Sequence, residues 1–259
     1  MKWLACFLSL VSGVTVSSQS MQLLLDTVMN VDQVALDPIG NLYLYTSSNK
    51  VLSKFNPHFE LMYQTSINKS HSPPRMDVSD PLKPILYYPG EFLIQQLDAQ
   101  GSILITRDAS DLNEYSALAY FDQDRIVIYN GYTLALQDAP SGNSTSQHSR
   151  TQIVSSTGTR NDLKKVQDNL YLFQRRNGIL KFTTELFETH RWLIPGMEWA
   201  DCDESGCYLI LQDSLYHMDP GTGALRVLSK VEGPVKGLAV GAHRMAILYH
   251  NRLKLFQQP

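Results

Sequence analysis

Short apolar runs recur along this chain at nearly regular intervals, and a polar turn precedes most of them. The clearest runs combine Leu, Ile, Val and Tyr at residues 41–45, 84–88, 125–129, 169–173, 207–211 and 244–249. Their first residues lie 37 to 44 positions apart. Runs of about five residues are typical of β-strands, and a repeat of this period is typical of stacked structural units. The pattern predicts an all-β protein built from six repeats.

Each repeat carries further strand signals on both sides of its apolar run. Residues 235–240 precede one run, and residues 50–55 and 178–182 follow two others. The turns between them, such as residues 37–41, contain the Asp, Asn and Gly that favour tight backbone bends. Four antiparallel strands per unit, without helical periodicity, favour a six-bladed β-propeller. A pair of β-sandwiches, an open β-solenoid and rings of five or seven blades are the alternatives.

The two ends of the repeat region complement each other. The last unit shows three strand signals, at 235–240, 244–249 and 252–256, whereas the apolar strand at 21–26 belongs to no unit. Pairing of this strand with the last unit would close the ring and cover a sheet edge. We therefore predict a propeller closed by its N-terminal strand, with the 13 tyrosines packed mainly between blades.

The first twenty residues differ from the rest of the chain. Lys2 precedes an apolar stretch at 3–11, and small and polar residues follow. This order is typical of a secretory signal peptide, and Val16 and Ser18 supply the small residues needed before a cleavage site. The sequence predicts a signal peptide at 1–18 and a single propeller domain at 19–259. An N-terminal strand or anchor helix is the alternative, and the rest of the chain has no apolar run long enough to span a bilayer.

The amino-acid composition and net charge of the chain indicate which kind of partner it binds. Hydrophobic residues make up 43% of the chain and charged residues 18%, so there is enough apolar material for a packed core. The formal net charge is −3, whereas nucleic acids select basic surfaces. We therefore expect no nucleic-acid partner. An envelope or surface protein is the predicted partner, and the predicted location is the periplasm, the cell surface or the medium.

Cysteine usage agrees with export. Beyond the predicted signal peptide the chain keeps Cys202 and Cys207, which flank the acidic segment 203–206. This segment predicts a four-residue hairpin loop, and the residues flanking such a loop face each other at disulfide distance. We predict a disulfide between Cys202 and Cys207. Two free thiols, or a metal or redox pair, are the alternatives, although the spacing is not that of a C-x-x-C motif.

Two stretches carry a family resemblance. Residues 34–44 (VALDPIGNLYL) and 77–88 (DVSDPLKPILYY) resemble exported six-bladed propeller proteins of Bacteroidota. The resemblance extends over the chain after residue 18, and it implies a fold and export but no defined activity. More distantly, the repeat is similar to NHL-type and gluconolactonase-type propellers. The latter are metal-dependent hydrolases with Glu, Asn and Asp ligands around the channel, but no positions of this chain match that ligand set.

Candidate chemistry rests on carboxylates, because the chain contains no G-x-S-x-G, H-E-x-x-H or P-loop motif. We name no catalytic residue and no cofactor other than calcium. Asp77 and Asp80 fall on the expected inner strand of the second unit, and Glu198 and Asp201 on that of the fifth. Carboxylate oxygens are ligands that calcium prefers, so these four are the candidate metal ligands. Solvated turn residues are the alternative interpretation.

Three hypotheses about function follow. The first is a non-catalytic scaffold or binding module that contacts another protein. The second is a metal-dependent propeller hydrolase or lactonase that uses the channel carboxylates. The third is a carbohydrate-binding propeller that uses Trp192 and Trp199, although Trp199 also fits the core. The polar segments 66–75 and 138–150 are predicted to be surface loops, where partner contacts commonly occur.

Overall fold

The computed structural model describes residues 21–67, 73–89, 91–109, 112–113, 116–122, 124–150 and 160–258. These residues form twenty-four β-strands in six four-stranded antiparallel sheets, and they contain no helix. The predicted all-β class is therefore confirmed. The predicted signal peptide lies outside the described residues.

The strands follow one another in blade order. Strand β1 (Gln22–Val28) comes first. Blade one contains β2 (Gln33–Leu36), β3 (Leu42–Thr46), β4 (Val51–Phe55) and β5 (Leu61–Ser66). Blade two contains β6 (Arg75–Asp77), β7 (Ile85–Tyr88), β8 (Leu93–Leu97) and β9 (Ile103–Asp108). Blade three contains β10 (Ala117–Asp122), β11 (Arg125–Tyr129), β12 (Thr133–Asp138) and β13 (Ser144–Arg150).

The second half of the chain repeats this arrangement. Blade four contains β14 (Asn161–Val166), β15 (Asn169–Gln174), β16 (Gly178–Thr183) and β17 (Glu188–Leu193). Blade five contains β18 (Met197–Asp203), β19 (Gly206–Leu211), β20 (Ser214–Met218) and β21 (Leu225–Lys230). Blade six contains β22 (Val235–Gly241), β23 (Arg244–Tyr249), β24 (Arg252–Gln257) and, as its outer strand, β1.

The six blades form a closed ring. The first strand of each blade contacts the first strand of the next, and β22 contacts β2. Strand β1 pairs antiparallel with β24, with Thr27 opposite Leu253. Asp26 also forms a salt bridge with Arg252 across this pair. The predicted six-bladed propeller, closed by its N-terminal strand, is confirmed.

The core lies between the blades. Six clusters of buried residues each join two neighbouring blades. Both faces of strand β7 are buried: Leu86 and Tyr88 pack against blade one, and Ile85 and Tyr87 pack against blade three. A strand buried on both faces needs apolar side chains at every position. Tyr43, Tyr45, Tyr87, Tyr88 and Tyr129 are fully buried, as expected for tyrosines at blade interfaces.

Two local predictions differ from the structure. The polar segment 138–150 was expected to be a loop, but Ser144–Arg150 forms β13 and pairs with β12. Polar composition alone does not exclude a strand, because strand preference depends strongly on the context of each strand in its sheet. The loop between the cysteines is also tighter than predicted, because Asp203 pairs with Gly206 and leaves a two-residue turn.

Candidate functional site

The first strands of the six blades line a narrow channel along the ring axis. Its cavity is about 100 Å³. Small residues such as Ala35, Ala117 and Gly237 lie at its wall, which allows the strands to approach the axis. The charged residues in the lining are Arg75, Asp77, Arg160, Asp162, Lys164 and Asp201. Cations and anions are equal in number there, so the channel has no strong overall charge.

A partly buried ion pair ties three blades together in this channel. The Lys164 ammonium of β14 lies 2.8 Å from the Asp201 carboxylate of β18 and donates to the Val240 carbonyl of β22 at 2.6 Å. Asp201 also accepts hydrogen bonds from the backbone N–H groups of Val240 at 2.7 Å and of Cys202 at 2.8 Å. Blades four, five and six are thus joined through two side chains.

Asp77 forms a similar tie between blades two and three. Its carboxylate accepts hydrogen bonds from the backbone N–H of Ser79 at 2.9 Å and from the backbone N–H of Tyr120 on β10. Neighbouring inner strands each have unpaired backbone groups facing the axis, and a buried carboxylate satisfies them. The Asp77 carboxylate therefore has a structural role in joining the two blades.

Burial changes the acidity of both carboxylates. Removal from water raises the pKa of Asp77, and the N–H groups of Tyr120 and Ser79 only partly offset this effect. Burial likewise raises the pKa of Asp201, against the opposing effect of the Lys164 ammonium. A carboxylate in low dielectric favours its neutral form unless donors or cations compensate.

The four candidate metal ligands occupy different surroundings. Asp77 and Asp201 line the channel, whereas Asp80 lies beyond the end of β6, in a turn where it accepts the Leu82 N–H at 2.9 Å. The expected inner-strand position of Asp80 was therefore wrong, because β6 ends at Asp77. Glu198 is exposed at a bulge in β18. Within the described ranges, no three His, Cys, Asp or Glu side chains are grouped as a metal site would require.

The cysteines are placed as predicted. Cys202 and Cys207 face each other directly in the pairing of β18 with β19, and a disulfide joins them. Both side chains are fully buried in the cluster between blades four and five. The disulfide therefore reinforces the first hairpin of blade five from inside the core.

Both candidate tryptophans already make stacking contacts within the fold. Trp192 stacks on His190 with 5.3 Å between ring centroids and an interplanar angle of 9°. The Arg175 guanidinium lies 3.5 Å from the centroid of the Trp199 ring. The indole N–H of Trp199 donates to the Val235 carbonyl at 2.9 Å. A sugar that stacked on either ring would have to share it with these contacts.

A wider cavity opens at one end of the channel, on the side of the turns between first and second strands. We call this end the first-turn face and the cavity the basin. The basin is about 800 Å³, and all six blades contribute to it. Its lining includes Pro38, Ile39, Asp80, Pro81, Asp203 and Glu204. This volume lies within the range of typical ligand pockets of proteins.

The turn of blade one shows how the sequence builds this rim. The Asp37 carboxylate accepts the backbone N–H groups of Ile39 at 3.1 Å and Asn41 at 2.8 Å, as an Asx residue does in a tight turn. Gly40 has φ +87°, a left-handed conformation that favours glycine. This arrangement leaves the Ile39 side chain 63% exposed at the rim.

Comparisons with known proteins address the fold. Matching solved structures include BamB from Moraxella catarrhalis (TM-score 0.55, 10% identity, 92% of this chain and 99% of that chain). The Pan2 WD40 domain of Neurospora crassa also matches (TM-score 0.62, 9% identity, 93% of this chain and 97% of that chain). Virginiamycin B lyase from Staphylococcus aureus is a third match (TM-score 0.60, 10% identity, 87% of this chain and 80% of that chain). The chain has the β-propeller fold.

The comparisons carry no further information on activity. No protein-family model and no curated protein match the propeller in sequence. At 9–10% identity a structural likeness shows the fold alone. The resemblance drawn from residues 34–44 and 77–88 is confirmed for the six-bladed propeller fold. The bacterial group and export stay predictions. The part of the chain that the structure describes contains no membrane-spanning helix.

Proposed function

We propose that this propeller is an exported, non-catalytic binding module that receives a segment of a partner protein in the basin on its first-turn face. The observation that carries the proposal is the basin itself, a cavity of about 800 Å³ with apolar side chains exposed at its edge. Ile39 is 63% exposed there, and Leu82, which follows the lining residue Pro81, is 67% exposed. Exposed apolar side chains around a concave site are typical of protein-binding surfaces.

The charges around the basin specify the chemistry of the partner. Asp80, Asp203 and Glu204 line it, and none of them forms a salt bridge with a basic side chain of the described chain. Of the two lysines of the lining, Lys164 pairs with Asp201, whereas Lys165 donates to a backbone carbonyl and keeps its positive charge. The fourth lining carboxylate, Asp122, pairs with Arg125, so three carboxylates without a salt bridge face one cation and the basin carries a net negative charge. We expect the partner segment to carry an apolar side chain flanked by Lys or Arg.

The contacts in the channel favour this function over the metal-dependent hydrolase. Each of the two channel carboxylates on which that hypothesis depends accepts at least two hydrogen bonds from its own fold. Calcium coordination there would require oxygens that the blade ties already use. The stacking contacts that both tryptophan rings already make with neighbouring side chains likewise weaken the carbohydrate hypothesis.

Export is part of the proposal and rests on two observations. The order of charged, apolar and small residues at 1–18 is that of a signal peptide. The disulfide between Cys202 and Cys207 is typical of proteins from oxidising compartments. The predicted compartment is the periplasm, the cell surface or the medium.

A peptide-display selection on the purified protein tests the binding site. We expect enriched peptides to contain an apolar residue next to Lys or Arg. The single substitutions Ile39→Lys and Leu82→Lys at the rim remove an apolar anchor and repel a basic peptide, so each should weaken peptide binding by about tenfold or more.

Matched controls lie on the opposite face of the ring. Tyr132 is 61% exposed and Leu193 is 77% exposed, so Tyr132→Lys and Leu193→Lys add the same charge to apolar sites of similar exposure. These variants should keep wild-type affinity. Peptides that lack basic residues, or that bind the rim variants as tightly as the wild type, would contradict the proposal.

A further inference from the structure

Arg75 and Arg160 line the end of the channel opposite the basin, and Arg175 stacks on Trp199, which also lines it. Arg75 begins β6, Arg160 precedes β14, and Arg175 follows β15. The Arg175 Cζ atom lies 3.5 Å from the centroid of the Trp199 ring, and the Arg160 Cζ atom lies 5.3 Å from the same centroid. We call Arg75, Arg160, Arg175 and Trp199 the arginine cluster.

Most of this cluster is held in place by hydrogen bonds. Arg75 donates to the backbone carbonyls of Asn161, at 2.9 Å, and of Ser116. Arg160 forms a salt bridge of 2.9 Å with Asp162. Trp199 is fixed by its hydrogen bond to Val235. The cluster is therefore arranged before any ligand arrives, which lowers the entropic cost of binding.

Arg175 differs from the other two arginines. Its Nε and Nη2 atoms are buried, and neither has a hydrogen-bond partner. A guanidinium carries five N–H donors in a planar fork, and burial of such donors without an acceptor is costly. Burial lowers the pKa of Arg175 to about 10, so the group remains a cation at neutral pH. The fold thus holds a charged donor whose acceptor is missing from the described chain.

The local charge balance specifies the missing acceptor. The carboxylate of Asp162 interacts electrostatically with all three arginines, and the carboxylate of Glu198 interacts with Arg175. The cluster therefore carries a surplus of one positive charge. A carboxylate supplies one negative charge and two coplanar oxygens, which match the two ends of a guanidinium fork.

We propose that the arginine cluster binds the carboxylate group of a small-molecule ligand at this end of the channel, with Arg175 as its main partner. The site is distinct from the basin, which lies at the opposite face, so the proposal does not depend on the proposed function. Arg75 and Arg160 add positive potential, and Trp199 supports the flat face of the Arg175 guanidinium.

Titration of the purified protein with sodium acetate, at constant ionic strength, tests the proposal. The arginine Nε–H and indole N–H signals in ¹⁵N NMR spectra report on the site directly. Acetate is small, so we expect a saturable shift with a Kd of about 1 to 10 mM. Absence of a saturable shift in the wild-type protein would overturn the proposal.

Two variants locate the binding. Arg175→Gln should weaken acetate binding at least tenfold, whereas Arg176→Gln, which removes the same charge from the exposed neighbouring position, should change it less than twofold. Equal effects of the two variants would show a general charge effect and contradict the assignment. A parallel titration with inorganic phosphate distinguishes the anions, since tighter binding of phosphate than of acetate would contradict the carboxylate assignment.

Discussion

Removal of the Lys164 ammonium should destabilise the ring markedly. In Lys164→Met the chain keeps an aliphatic side chain of similar length, but Asp201 loses its cation and the Val240 carbonyl loses a donor. Loss of one partner from a buried ion pair costs roughly 3 to 5 kcal/mol. Because the Lys164 and Asp201 side chains retain 20% and 14% of their exposure, we expect the lower end of that range, about 3 kcal/mol.

A double-mutant cycle separates the contribution of the ion pair to stability from the contribution of side-chain packing. Asp201→Asn in the Lys164→Met background removes the uncompensated buried charge, so it should restore part of the lost stability. We expect the double variant to be more stable than the sum of the single variants predicts, by about 1 to 2 kcal/mol. Urea denaturation at pH 7, followed by circular dichroism, provides the four free energies of unfolding.

An absence of coupling in the double-mutant cycle would contradict the role of Lys164 as the partner of Asp201. A loss of less than about 0.5 kcal/mol in Lys164→Met would place the pair among exposed ion pairs, which contribute little. If the effects of the two substitutions on the free energy of unfolding are strictly additive, the Asp201 carboxylate is stabilised by its backbone N–H donors alone. Either result would remove Lys164 as the link between blades four, five and six.

Three further predictions concern acidity, the disulfide and export. Burial opposes ionisation of Asp162, but the nearby arginine charges together lower its pKa below 3.8, so the ionised carboxylate stabilises the fold above that pH. Asp162→Asn should therefore be less stable than the wild type at pH 7, and this stability difference should shrink as the pH falls below 3.8. A stability difference that does not change with pH would contradict this role of Asp162. Replacement of Cys202 and Cys207 by Ser should cost about 2 kcal/mol in urea denaturation, and unchanged stability would refute a structural role. The protein exported by its native cells should begin at Gln19 on N-terminal sequencing, and an intact Met1 would rule out cleavage.

The architecture was predictable because the repeat is a local signal. Each second strand is buried on both faces, so it appears as an uninterrupted apolar run, and the predicted segments 125–129 and 244–249 coincide with β11 and β23. Closure was predictable as well, since the leading strand at 21–26 had no other sheet edge to pair with. The outer strand β13 was missed because it has no such apolar run.

The site was harder to predict because its contacts join distant parts of the chain. Lys164 is 37 residues from Asp201 and donates to a carbonyl 76 residues away, and no local pattern marks a lysine as an axial tie. Asp77 and Asp201 were selected for their position on inner strands, which the structure confirms, but their donors come from neighbouring blades. Arg175 carried no signal in the sequence, since its lack of an acceptor is evident only in three dimensions.

Site-specific photo-crosslinking in the cells that produce the protein tests the binding of a partner at the first-turn face most directly. A photoreactive amino acid replaces Ile39 or Leu82 on that face, or Leu193 on the opposite face. We predict that positions 39 and 82 capture the same protein, that Leu82→Lys abolishes capture from position 39, and that position 193 does not capture it. Capture from position 193 alone, or equal capture from both faces, would contradict the account.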